Sequence, residues 1–143
     1  MLVSVEENRA LVWQAYDTTF NRHDPEAARS CYAAGYVGHM PHHPQPVGRD
    51  GLIAESNEIL AALPDVTVTF DDAFGTDDRL VVRHSFVGTH TGPLMGIPPT
   101  GRLLTFSGTD VYRIVDGEIV EEWSQPDLFG VLNQLGVIPA PAP

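Results

Sequence analysis

The dipeptide Asp116-Gly117 most constrains this chain, because it stands between two runs, DVYRIV and EIVEEW, in which apolar and polar residues alternate. Period-two alternation marks strands with one buried face, and Asp-Gly supplies the positive φ angles of a tight reversal, so an antiparallel hairpin is predicted here. One face of its first strand carries Phe106, Gly108, Asp110, Tyr112 and Ile114; one face of the second carries Val120, Glu122 and Ser124. Carboxylates thus fall among apolar groups. An ionised carboxylate is costly to bury and tends to take up a proton instead, so this face borders either a pocket or water.

Two registers are open. A two-residue loop pairs Val115 with Glu118 and sets Asp110 opposite Trp123, whereas a three-residue loop with a glycine bulge pairs Ile114 with Glu118 and sets Asp110 opposite Glu122.

Upstream of the hairpin, the periodicity is helical before it is strand-like. Ser4 and Glu7 form a capping box ahead of Leu11, Val12, Ala15, Tyr16, Thr19 and Phe20, predicting a helix to about Asn21. Asp24-Pro25 opens a short second helix through Cys31 and Tyr32, closed by Gly35, and Arg49 to Leu63 forms a third. Strands follow at Val66 to Phe70 and Leu80 to His90, and a last short helix begins near Leu128 with Asp127 as its N-cap. Helices first and strands afterwards describe an α+β fold, a single domain over 1–143, with the helices packed on a curved, mostly antiparallel sheet and a cone between them as the natural ligand site. Residues 139–143 read as an extended or disordered tail.

The balance of 19 acidic against 8 basic residues gives a net charge of −11, which repels phosphate backbones and argues against nucleic acid as a partner. The apolar runs are too short to span a membrane, and the N-terminus lacks the pattern of a signal peptide, so a cytoplasmic location is expected. The lone Cys31 reads as a small core residue. The loop HMPHHP holds His39, His42 and His43, but no cysteine and no helical spacing accompany them, and no metal is expected. A short strand is expected to start at Tyr36 before the loop, and His39 is placed at its end. Neither a serine-hydrolase elbow nor a phosphate or dinucleotide loop is present.

Five segments together, ENRALVWQAYDTTFNRHD, YVGH, GTHTGPLMGIPPTGR, DVYRIVDGEIVEEW and LFGVLNQLG, resemble the SnoaL-like polyketide cyclases of the nuclear-transport-factor-2-like superfamily. That resemblance implies a cone-shaped α+β barrel, a substrate class of apolar oxygenated polyketides, acid/base catalysis with no cofactor, and a homodimer. In those cyclases the acid/base aspartate directly follows the position matching Trp123, and a histidine occupies the position matching Asp110. Here the aspartate position is Ser124. The resemblance favours the register that puts Asp110 and Glu122 side by side.

The catalytic expectation therefore falls on Asp110 and Glu122 beside Ser124, two close carboxylates that cannot both ionise easily in an apolar cone. The competing reading has Glu122 at the rim, paired with Arg113 or Arg83. His84 and His90 share parity on the adjoining strand; His90 is either a second acid/base group or a brace for the following loop. Substrate contacts are expected from Tyr16, Phe20, Tyr36 and His39, and from His84, Tyr112 and Trp123. Met95 and Ile97, with Leu94, are expected to face the ligand from a lid spanning Pro93 to Gly101. Three classes of function remain: a cofactor-free enzyme performing ring closure, isomerisation or epoxide opening; a binding protein that has lost the family's aspartate; and a dimerisation module using Thr105, Ser107, Thr109 and Val111 on the outer sheet face.

Overall fold

A computed structural model describes residues 4–138; the 139–143 tail lies outside the described residues. Helix α1 spans Val5–Tyr16, and the Ser4 hydroxyl accepts the Glu7 N–H at 3.1 Å, so the capping box forms. A single π-helical turn, Asp17–Asn21, continues it. That turn delivers Asn21 to the edge of the sheet, where its side-chain carbonyl accepts the Val68 N–H at 2.8 Å and its amide donates to the Val68 carbonyl at 3.2 Å.

Asp24 caps the next turn through the Ala27 N–H at 3.1 Å, as the sequence implies. The helix is shorter than expected, however. A 3-10 segment covers Ala27–Cys31, and strand β1 begins at Tyr32 and runs to His39, so Gly35 lies inside a strand rather than closing a helix. Tyr32 turns extended because its ring and that of Tyr36 pack edge-on 5.0 Å apart in the core. Helix α2 spans Arg49–Ala62, and strands β2 (Thr67–Gly75), β3 (Arg79–Thr89), β4 (Leu103–Val115) and β5 (Glu118–Pro126) follow, with helix α3 (Leu128–Gln134) last. Asp127 caps α3 through the Gly130 N–H at 2.9 Å. No helix among the described residues is long and apolar enough to cross a membrane.

The five strands form one open sheet in the order β1-β5-β4-β3-β2, antiparallel except where β1 runs parallel to β5. The helices lie on its inner face, over a core that includes Val12, Leu63, Val82, Leu104 and Ile119.

The hairpin has the two-residue turn and the Val115–Glu118 pair of the first expected register, but further along the strands neither expected pairing of Asp110 holds. Asp116 and Gly117 take φ of 50° and 75°, a two-residue turn that pairs Val115 with Glu118. One step on, Ile114 faces Ile119 but Arg113 faces Glu121, so Val120 is an extra residue in β5. The bulge changes which side chains point inward. Without it, the alternation set by buried Ile119 would carry Glu121 and Trp123 inward; with it, Glu122 and Ser124 turn in, and Val120 leaves the face that it was expected to share with them. Asp110 consequently stands opposite Ser124, Tyr112 stands opposite Glu122, and the two carboxylates are diagonal neighbours.

Candidate active site

Between the sheet and the helices lies an inner chamber of about 130 Å³. Tyr16 and Phe20 reach it from the first helix and its π turn, His84 from β3, Asp110 and Tyr112 from β4, and Glu122 and Ser124 from β5. Asp110 and Glu122 are 3 % and 5 % exposed, so both carboxylates are buried, and neither pairs with an arginine. The rim position belongs to Glu121, which accepts from Arg113 Nε at 3.3 Å and contacts His39 at 2.8 Å.

Donors converge on Asp110. The Tyr16 hydroxyl donates to its Oδ2, the His84 Nε2–H donates to the same oxygen at 2.9 Å, and the Gln125 N–H reaches Oδ1 at 3.2 Å. Because a carboxylate only accepts, His84 must carry its proton on Nε2, which leaves the Nδ1 lone pair buried and without a partner among the described residues. Glu122 accepts from the Tyr36 hydroxyl at 2.7 Å. Tyr112 links the two acids: its hydroxyl lies 3.3 Å from Asp110 Oδ2 and 3.2 Å from Glu122 Oε2, and it also touches the Tyr16 hydroxyl.

These contacts separate the two acids. Burial alone would push the Asp110 carboxyl up, but the hydrogen bond from His84, with those from the hydroxyls of Tyr16 and Ser124, outweighs it and holds Asp110 below its ordinary value. Glu122 goes the other way, to about 8, because burial comes first and the Asp110 charge second, and the Tyr36 and Tyr112 hydroxyls offset them only in part. Burial, followed by the neighbouring carboxylates, also holds the Tyr16 and Tyr112 hydroxyls well above the ordinary phenol value. Near neutral pH the chamber therefore presents an ionised Asp110 beside a protonated Glu122.

The remaining expected residues divide. Tyr36 sits behind Glu122 and not on the chamber surface. His39 and Trp123 stack on each other 5.4 Å apart, outside the chamber, since the bulge that turns Glu122 inward turns Trp123 away. His90 is buried and lines neither the inner chamber nor the outer cavity of the lid; its Nδ1 accepts the Thr100 N–H at 3.2 Å and meets the Thr100 hydroxyl at 2.9 Å, so it braces the loop after β3. Leu94 and Met95 line an outer cavity of about 530 Å³ against α2 and α3, whereas Ile97 bridges back to Leu94 and lines neither space. The loop is anchored where the Gly92 N–H donates to the Ala62 carbonyl at 3.1 Å; a Cβ at Gly92 would stand 2.2 Å from the Ala61 carbonyl oxygen, so only glycine fits there.

Among the wall residues that escaped the sequence reading, His42 and Glu55 line both cavities, and the signal for Glu55 was its helical spacing with Leu52 and Ile59, three residues before and four after, on the face that covers the chamber.

The sequence profile of the family described as SnoaL-like polyketide cyclase matches residues 10–135. Nogalonic acid methyl ester cyclase of Streptomyces nogalater is 51 % identical over 51 residues, which cover 34 % of this chain and 37 % of that protein. The chain thus spans little more than a third of that relative's length. Among solved structures, AclR of Streptomyces galilaeus, described as a candidate hydroxylase, superposes with a TM-score of 0.87 at 25 % identity, covering 97 % of this chain and 87 % of AclR. IdmH of Streptomyces antibioticus, described as a candidate polyketide cyclase, superposes with a TM-score of 0.77 at 32 % identity, covering 90 % of this chain and 97 % of IdmH.

Proposed function

This chain belongs to the SnoaL-like polyketide cyclase family, and from that premise we propose that it is an acid/base enzyme closing a ring in a polyketide-like substrate by proton transfers among its own side chains. The observation that carries this reading is the Tyr112 hydroxyl, within hydrogen-bonding reach of an ionised Asp110 and a protonated Glu122 at once.

The chemistry follows the proton. Asp110 together with His84, whose Nδ1 is unpartnered, takes a proton from carbon beside a substrate carbonyl, giving an enolate. The enolate carbon forms a bond to a second carbonyl of the same molecule, and the resulting alkoxide takes the proton of Glu122. Tyr112 then relays the abstracted proton from the Asp110 side to Glu122, and the site is restored. Ser124, facing Asp110 across the ladder, orients a substrate oxygen. Against the family pattern, the carboxylate has crossed from the β5 position to the β4 position facing it, and the imidazole has moved from β4 to β3. The acid/base pair is thereby displaced by one strand and kept in the same chamber.

Asp110→Asn keeps the shape and removes the charge. Turnover of nogalonic acid methyl ester or a related methyl ester should fall roughly a hundredfold, about 3 kcal/mol of barrier, with substrate affinity little changed; undiminished turnover would end the assignment. The second reading, a binding protein, is favoured by Ser124 in the family's aspartate position, and it is sustained if the wild-type chain binds such esters without converting them.

Dimerisation is proposed through the outer sheet face, where Val87 is 41 % and Leu103 63 % exposed beside Thr105. Sedimentation should give a dimer that Leu103→Asp dissociates; a monomeric wild type at high concentration would refute this.

A further inference from the structure

We propose that His42, His43 and Glu55 bind one divalent transition-metal ion of the zinc class where the inner and outer cavities meet. The sequence alone offers only histidines on a proline-rich loop. Folding brings α2 beneath that loop, and Glu55 supplies the third ligand from a different element.

The geometry suits one ion. The ligating atoms of the three residues lie within 4.8 Å of one another, and His43 Nε2 stands 3.1 Å from Glu55 Oε2, with His42 Nε2 against the other oxygen. Nitrogen and oxygen ligands each about 2.1 Å from a common zinc are roughly 3 to 3.5 Å apart, so small movements suffice. The loop is also held ready. Its base is closed by the Gly38 N–H to Val47 carbonyl bond at 2.8 Å and the reverse bond at 2.9 Å, its tip by the His43 N–H to Met40 carbonyl bond at 3.1 Å, and Pro41 and Pro44 restrict it on either side of the histidines.

Two imidazoles and one carboxylate select zinc, cobalt, nickel or copper over magnesium or calcium, which need oxygen ligands. Without an ion, both rings donate Nε2–H to Glu55. Binding moves each ring proton from Nε2 to Nδ1, so that both Nε2 lone pairs face the metal. His42 and Glu55 line both cavities, so a coordination position not filled by protein opens toward the substrate space. The site shares the chamber wall with Asp110 and Glu122, but its three ligands are separate residues and its metal affinity is read without reference to their roles.

The test uses the tag-free, chelator-stripped chain, titrated with Zn²⁺ by calorimetry and with Co²⁺ by visible absorption. One ion per chain is expected, with micromolar or tighter affinity and the cobalt bands of nitrogen and oxygen ligation. Glu55→Gln and His42→Asn should each weaken binding roughly tenfold or more, while His39→Asn, whose parent residue contacts Glu121 instead, should leave it unchanged. Proton NMR of the wild type, which needs no variant to fold, should show Zn²⁺ shifting the ring signals of two histidines only. Affinity no better than millimolar, binding indifferent to Glu55→Gln, or zinc shifts shared equally by all six histidines would overturn the site.

Discussion

Replacing Glu122 by Gln should stabilise the protein at neutral pH while impairing its chemistry. In the folded chain Glu122 holds its proton up to about 8, against an ordinary value of 4.5. Above the ordinary value the unfolded chain releases this proton and the folded chain keeps it, so the folded state binds more protons and stability falls as pH rises from about 4.5 to about 8. At pH 7 that interval is some 2.5 pH units wide, and at 1.36 kcal/mol each the protonated carboxyl costs the fold about 3 kcal/mol. Glutamine does not titrate, yet it keeps a carbonyl for the Tyr36 hydroxyl and an amide for Tyr112. Urea unfolding of both proteins at matched pH provides the assay. The two should be nearly equal near pH 4.5 and diverge in favour of Glu122→Gln by roughly 1.4 kcal/mol per pH unit up to about pH 7. Parallel curves over that range would mean that Glu122 titrates alike in both states, and the acid/base assignment would lose its acid. A variant more stable yet slower is the trade expected when a strained group is retained for function.

Two further outcomes follow from the same network. If Glu122 must enter the cycle protonated, kcat/KM of the wild type should decline as pH rises through about 8, and a rate level well beyond that pH would remove Glu122 from the mechanism. If the acid/base pair has been displaced by one strand, Asp110→His with Ser124→Asp should recover activity that Asp110→His alone loses, with a coupling of about 1 kcal/mol or more; strictly additive losses would show that the two facing positions do not act as a unit.

Much of the fold was legible because its signals were local. Ser4 with Glu7, Asp24 with Pro25, and Asp127 each mark a helix start through contacts spanning three residues, and each cap forms. The hairpin at Asp116-Gly117 was legible for the same reason. Its register was not, because a bulge at Val120 leaves no local mark: a β-branched apolar residue suits a regular strand equally well, and only the demand that Glu122 and Ser124, rather than Glu121 and Trp123, face the chamber selects it. Trp123 lies outside the chamber because the bulged strand turns Glu122 and Ser124 inward and sets Trp123 on the other face, where it stacks on His39 at the end of β1. Gly35 misled in a different way, as a helix stop read where pairing of β1 with the distant β5, beginning at Tyr32 opposite Ile119, had already drawn the chain into the sheet.

The site itself was half visible. Alternation placed Asp110 and Glu122 inside, and elementary electrostatics required that one of them hold a proton, but no pattern in the sequence could name the hydroxyls that decide which. Tyr16 arrives from 94 residues away and donates to Asp110, Tyr36 arrives from 86 residues away and donates to Glu122, and His84 adds the hydrogen bond that separates the two acids. Without His84, Asp110 would keep the Tyr16 hydroxyl and the Gln125 N–H but lose the hydrogen bond that does most to hold it ionised against burial. The imidazole widens the gap between the two acids. A single histidine on β3, two residues out of cross-strand register with Asp110, thus helps to set which carboxylate is ionised and which is protonated.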